Sequence, residues 1–179
     1  ILARIDDVGS ERISITLENG DKTFISSQDA TYRFDNKSEY LQRTLRKDDV
    51  LLCQRRKVGR SNSSIVTLKI NELGQSRRLS KYLGQKLEFT FVSIEDDEII
   101  LEITPGNLVR IPLYSVTCHH QHFSVARLLP GDVLIANVLT KQVLPGTQNV
   151  SSNEEVYLDI EQTFLGSLHL IKGRHIVVA

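Results

Sequence analysis

Two stretches of this 179-residue chain carry the same run of apolar residues at a constant offset of 86, and that repeat limits the fold more than any single residue does. Ile5, Ile13, Ile15, Leu17, Gly20, Ile25 and Thr31 fall on Phe91, Ile99, Leu101, Ile103, Gly106, Ile111 and Thr117. The match resumes at Lys47-Asp-Asp-Val-Leu against Pro130-Gly-Asp-Val-Leu with an offset of 83, and at Val66-Thr-Leu-Lys-Ile against Val156-Tyr-Leu-Asp-Ile with an offset of 90. Insertions therefore fall between matched segments. Self-similarity of this kind means that each copy is one structural unit of the same design. We expect two domains, residues 1–81 and 82–179.

Within each copy the apolar residues alternate with period two. Ile13, Ile15 and Leu17 are interleaved with Arg12, Ser14 and Thr16, and Ile99, Leu101 and Ile103 with Ile100 and Glu102, the mark of half-buried strands. Reversal signals stand between the runs at Asp6-Asp7-Val8-Gly9-Ser10, Asn19-Gly20-Asp21, Glu95-Asp96-Asp97 and Pro105-Gly106-Asn107, built from residues that tolerate positive φ or preset a turn. A three-stranded meander follows. Asp35–Arg43 is polar, with Leu41 and Leu45 at helical spacing, which predicts a short helical turn before Asp48-Asp49 and two further strands. The expected fold is all-β: two tandem five-stranded OB-type Greek-key barrels, each with a short helical turn between strands three and four.

At 40% hydrophobic the chain can supply two modest cores. It has no apolar run of the roughly 20 residues that cross a bilayer and no charged-then-apolar leader, so it reads as soluble, with no membrane partner. It opens on Ile1 and has no methionine, as an excised piece of a longer chain would. Cys53 and Cys118 lie one in each copy, which is compatible with a reducing, cytoplasmic setting. The zero net charge hides a split. Residues 1–84 carry 16 Lys/Arg against 11 Asp/Glu and residues 85–179 carry 6 against 11, so the halves are +5 and −5. The halves can attract one another, and a polyanion should prefer the first.

Tyr82-Leu-Gly-Gln-Lys-Leu-Glu-Phe, running through Phe91-Val-Ser-Ile-Glu-Asp-Asp to Ile99-Ile-Leu-Glu-Ile, resembles the opening strands of the RNA-binding repeat of the ribosomal S-one family. Leu129-Pro-Gly-Asp-Val-Leu-Ile-Ala-Asn is similar to that family's turn and fourth strand, and Val156-Tyr-Leu-Asp-Ile to its fifth. The resemblance covers nearly the whole chain, twice. Lys172-Gly-Arg-His-Ile-Val-Val-Ala echoes Leu83-Gly-Gln-Lys-Leu-Glu-Phe, as an extra C-terminal strand or the start of a third copy. Residues 111–179 also look like the SpoA module of flagellar and type III secretion ring proteins, which works by protein association. The S-one resemblance is preferred because the internal match includes the first hairpin.

A nucleic-acid-binding OB barrel uses the face of its second and third strands and the loops beside it. In the first copy the loop between strands four and five holds Arg55, Arg56, Lys57 and Arg60, cations suited to phosphate contact. Arg12 and Lys22 are expected to share that face, and Arg43, Arg46, Lys47, Arg77, Arg78 and Lys81 to widen the patch. The second strand has no aromatic residue, so base stacking falls to Phe24, with Tyr32 and Phe34 nearby. In the second copy Phe89 and Phe91 are expected in the core, and Arg110, Pro112 and Tyr114 stand where a platform would be. Its loop of residues 140–155 has one cation against two acids, so this barrel is expected to contact protein instead. Cys118, His119, His120 and His122 form the single cluster of metal-type side chains, with His169 and His175 far off, and zinc prefers four converging ligands. No phosphate loop, nucleophile elbow or separated carboxylate pair is present. The expectation is a non-catalytic module without metal or cofactor, which binds RNA or single-stranded DNA through its first barrel and protein through its second. The alternative is a purely protein-binding adaptor of SpoA type.

Overall fold

The computed structural model describes residues 1–60, 63–69, 79–118, 124–140 and 156–167. In the first half, β1 (Leu2–Val8), β2 (Arg12–Leu17) and β3 (Lys22–Ser26) form an antiparallel meander. Helix α1 (Ser27–Ala30) begins where the Ser26 hydroxyl accepts from Asp29 N at 3.3 Å. Helix α2 (Lys37–Thr44) occupies the stretch where the leucine spacing places a helical turn. β4 (Val50–Leu52) then returns against β1, giving the order β3-β2-β1-β4. After Cys53 the chain continues as β5 (Gln54–Lys57), which pairs with β6 (Ser64–Thr67) in a separate hairpin packed beside β3. Cys53 is buried, and burial pushes its thiol up to about 11, which leaves it unreactive.

The second half repeats the meander as β7 (Lys86–Glu95), β8 (Glu98–Thr104) and β9 (Asn107–Pro112). Asp96 and Asp97 both have positive φ (51° and 59°), the two-residue turn that matches strand twist. A 3-10 turn, Leu113–Ser115, leads into β10 (Val116–Cys118), followed by β11 (Val133–Thr140) and β12 (Val156–Phe164). The sheet order is β10-β12-β11-β7-β8-β9, with β10 parallel to β12 and the other pairs antiparallel. Its two outer strands, β9 and β10, are consecutive in the chain. The architecture is all-β with short helices, and among the described residues its sheets are open rather than closed into barrels. The C-terminal strand expected at Lys172–Ala179 lies outside the described residues.

The duplication extends to backbone detail. The β1/β2 ladder shifts register between Ile5 and Asp7, and the β7/β8 ladder shifts between Phe91 and Ser93, the same position at the offset of 86. An extra residue there increases local twist in both copies. Asp48 N donates to Ile5 O and Gly131 N to Phe91 O, each at 2.8 Å, and both donors hold positive φ (70° and 96°). Asp49 accepts from Arg46 N at 2.9 Å, as Asp132 accepts from Leu129 N at 2.8 Å. The apolar residues matched at the offset of 86 are all buried. Ile5, Ile13, Ile15, Leu17 and Ile25 lie in one cluster, and Phe91, Ile99, Leu101, Ile103 and Ile111 in another with Phe89. Each such side chain contributes about 1.5–3 kcal/mol by leaving water.

One expectation fails at β8, which is buried on both faces: Ile100 and Glu102 are as enclosed as Ile99 and Leu101. At Glu102 the outward side is covered by the first half. Glu102 accepts from Thr31 Oγ1 at 2.6 Å, Gly106 N at 2.8 Å and Tyr32 N at 3.1 Å. Glu88 on β7 pairs with Arg33 and with Arg43, the latter at 3.0 Å. The Gly106 turn leaves no room for a Cβ, which would lie 2.4 Å from Leu68 O, and a Cβ on Gly131 would lie 2.5 Å from that of Phe34. Asp35 accepts from Ser167 N at 2.6 Å. The halves thus meet along residues 31–35, with opposite charges facing at Glu88.

Burial pushes the Glu102 carboxyl up, outweighing its hydrogen bonds from Thr31, Gly106 and Tyr32. The folded chain then holds this proton more tightly than the unfolded chain, so stability falls as pH rises from 4.5 through the raised value and levels off above it. Glu88 has the opposite sign. Burial alone would raise it, but the hydrogen bonds from Arg43 and Arg33 win and hold it below the usual range, so its contribution is lost as pH drops below 4.5. Glu102→Ala should cost about 3 kcal/mol in urea unfolding at pH 7, because three donors lose their acceptor. Glu102→Gln keeps the two backbone bonds and turns its amide to the Thr31 hydroxyl. It should abolish the decline above pH 4.5 while leaving the acid-side loss that belongs to Glu88.

Candidate nucleic-acid interface

Strand alternation sets the site. With Ile13, Ile15 and Leu17 turned inward, β2 presents Arg12, Ser14 and Thr16 outward, and the register places them opposite Ser26, Phe24 and Lys22 of β3. Directly paired residues share a face. Phe24 is 51% exposed, and the Arg12 guanidinium carbon lies 5.2 Å from the centre of its ring. A base can stack on such an outward ring once the cation over it turns to a phosphate. Arg12, Lys22 and Phe24 therefore lie on one face of the β2–β3 pair.

The basic hairpin divides. Arg55, Lys57 and Arg60 are exposed, with Arg60 near the tip. Arg56 alternates to the other side and donates to Lys69 O at 2.6 Å, so it faces the seam between the halves. There Lys69 lies 4.9 Å from the Tyr32 ring centre and Lys37 lies 6.0 Å from that of Phe34. Burial lowers the Lys69 ammonium, with Lys37 and Arg56 as like charges acting the same way and Glu102 and Asp29 opposing. Burial also raises the Tyr32 phenol, with Glu102 adding to it. Lys37 and Lys69 were not marked by the sequence: neither stands in a basic run, and only the fold brings them beside aromatic rings.

Arg43 does not widen the patch, because Glu88 occupies it from the second half. Arg46 and Lys47 are exposed before β4, and Lys81 is exposed in the 3-10 turn Leu79–Tyr82. Arg77 and Arg78 lie outside the described residues. In the second half Phe89 and Phe91 fill the core, and Arg110 is held by Glu95 at 3.5 Å and Glu98 at 3.9 Å. Pro112 pairs opposite Glu98, and Tyr114 is 79% exposed in the turn after β9. Of the Cys/His cluster only Cys118 is described, on β10. His119, His120, His122, His169 and His175 lie outside the described residues, as does nearly all of the 140–155 loop. Among the described residues no three His, Cys, Asp or Glu side chains gather to hold a metal ion, and no helix is long and apolar enough to cross a membrane.

No family model matches this chain, and no curated protein matches it. Among solved structures, the chain is similar to a multidomain protein with nucleic acid binding domains from Streptococcus pneumoniae TIGR4, at 14% identity and a TM-score of 0.33. The alignment covers 89% of this chain and 49% of that one, so the chain spans about half the length of that protein. The site described above rests on this chain's own geometry.

Arg12 and Phe24 have little to do with holding the fold. Phe24→Ala and Arg12→Gln should each cost less than about 1 kcal/mol in urea unfolding, because both side chains stay in water. Phe89→Ala, fully buried in the second core, should cost about 3–5 kcal/mol.

Proposed function

We propose that the chain is a non-catalytic binding module whose first half, residues 1–81, contacts RNA or single-stranded DNA. The observation that carries this reading is the exposed Phe24 ring under the Arg12 guanidinium on the outer face of β2 and β3. Lys22 extends that face, and Arg55, Lys57 and Arg60 offer phosphate contacts on the adjoining hairpin. The S-one resemblance and an OB-type barrel in each half belong to the same reading. In its support, β11 joins β7 to β12, and β12 runs parallel to β10, which continues β9. That is the strand order of a Greek-key barrel of this type. The second half, residues 82–179, contacts protein, and the first partner it meets is the Thr31–Asp35 run of its own chain. A cytoplasmic location fits two free cysteines and a nucleic-acid ligand.

The second reading is a purely protein-binding adaptor. It is favoured by an apolar face on β1 and β4, where Leu2 pairs with Leu52 and Val50 is 65% exposed. Fluorescence anisotropy of the full chain with labelled oligouridylate and oligothymidylate separates the two. On the nucleic-acid reading, binding weakens as salt rises, and Phe24→Ala lowers affinity by about tenfold, in line with the loss of one stacked base. Removing Arg55, Lys57 and Arg60 together should lessen the salt dependence. Absence of binding at low salt would leave the adaptor reading in possession.

A further inference from the structure

We infer that the seam between the halves is a second contact for the same single strand: Lys37, Arg56 and Lys69 take its phosphates, and Tyr32 and Phe34 take its bases. The inference rests on the nucleic-acid reading above and adds a place to it. The starting observation is three cations drawn together. Arg56 is fixed by its 2.6 Å bond to Lys69 O, and Lys37 and Arg56 both bear on the Lys69 ammonium as like charges. Among the described residues none of the three forms an ion pair.

The acids nearby are already engaged. Glu102 accepts from Thr31, Tyr32 and Gly106, and the Asp29 carboxylate accepts from the Ser26 hydroxyl at 2.7 Å. Glu102 and Asp29 offset part of the repulsion at Lys69 without ion-pairing any of the three cations, and an incoming phosphate adds a direct counter-charge.

The rings supply the second half of the argument. Lys69 covers the Tyr32 ring and Lys37 stands near Phe34, which is 36% exposed. An ammonium over a ring occupies the place a base would take. When a strand arrives, the lysines can turn to its phosphates and free the rings for stacking. The platform is rigid, because Tyr32 N is bound to Glu102 and the Phe34 backbone packs on Gly131. Arg56, a residue of β5, connects this seam to the basic hairpin.

The test compares Lys37→Gln/Lys69→Gln with Phe24→Ala in the full chain, by anisotropy against a labelled oligouridylate of about 16 nucleotides, the upper site size for one OB fold. With the seam in use, the lysine pair change lowers affinity about tenfold. It also reduces the slope of log affinity against log salt by about 1.4, the share of two single-strand phosphates. An unchanged slope and affinity, with Phe24→Ala still weakening binding, overturns the seam and leaves the first site standing. Loss in the lysine variant with no effect of Phe24→Ala keeps the seam and overturns the β2–β3 face. No binding by the parent chain overturns both. Displacement of the strand by inorganic phosphate at matched ionic strength, in the parent chain alone, would make the seam a site for the free anion and overturn the strand assignment. Thermal melts check that each variant folds, and Lys37→Gln alone carries the test if the double change does not.

Discussion

Everything the two halves do together depends on one buried carboxylate. Glu102 is fully enclosed on β8 and holds the Thr31 hydroxyl, the Tyr32 amide and the Gly106 amide at once. A carboxylate taken from water without partners is expensive, and one that accepts three hydrogen bonds is tolerable. That arrangement ties the run between β3 and α2 onto the face of the second sheet. Arg33 and Arg43 then reach Glu88, Phe34 settles on Gly131, and Asp35 meets Ser167. The Arg43–Glu88 pair is partly exposed and contributes little by itself, whereas the buried Arg33 guanidinium needs Glu88 as its counter-charge. The two pairs select which side of the second half is met, and the buried carboxylate keeps it there.

The two copies share their interior and differ in their exterior. The bulge after Ile5 and Phe91, the positive φ at Asp48 and Gly131 and the turn-capping Asp49 and Asp132 recur almost without change. At the outward positions, Thr16 stands where the second copy has Glu102, and Leu2 where it has Glu88. One unit therefore presents a face that receives its neighbour, and the other leaves the matching face in water. A duplicated fold thus yields one chain with unlike surfaces, in which the basic, aromatic face of the first copy stays available.

Much of this was legible in the sequence. Period-two alternation put Ile13, Ile15 and Leu17 inside, and Asp-Asp and Asn-Gly marked the reversals, because strand faces and positive-φ turns are local properties. The outward placement of Arg12 followed from the same alternation, and that of Phe24 became plain only from the β2–β3 register. The burial of Ile100 and Glu102 was not legible, since an alternating strand reads as half exposed until something covers it. Nor were the fates of Arg43 and Arg56, which read as members of a basic patch. One is taken by a glutamate 45 residues away, and the other is turned by its strand face toward Lys69.

The amino-acid sequence by itself determined the repeat, the strands, their turns and the charge of each half, because these depend on neighbours a few residues apart. The tertiary structure alone decided which charged and aromatic groups are spent on joining the halves and which remain exposed. Thr31 and Glu102 are 71 residues apart, and Arg33 and Glu88 are 55 apart. Which outward face is covered is settled by packing at that range, where burial fixes the cost of each charge and no local pattern records it.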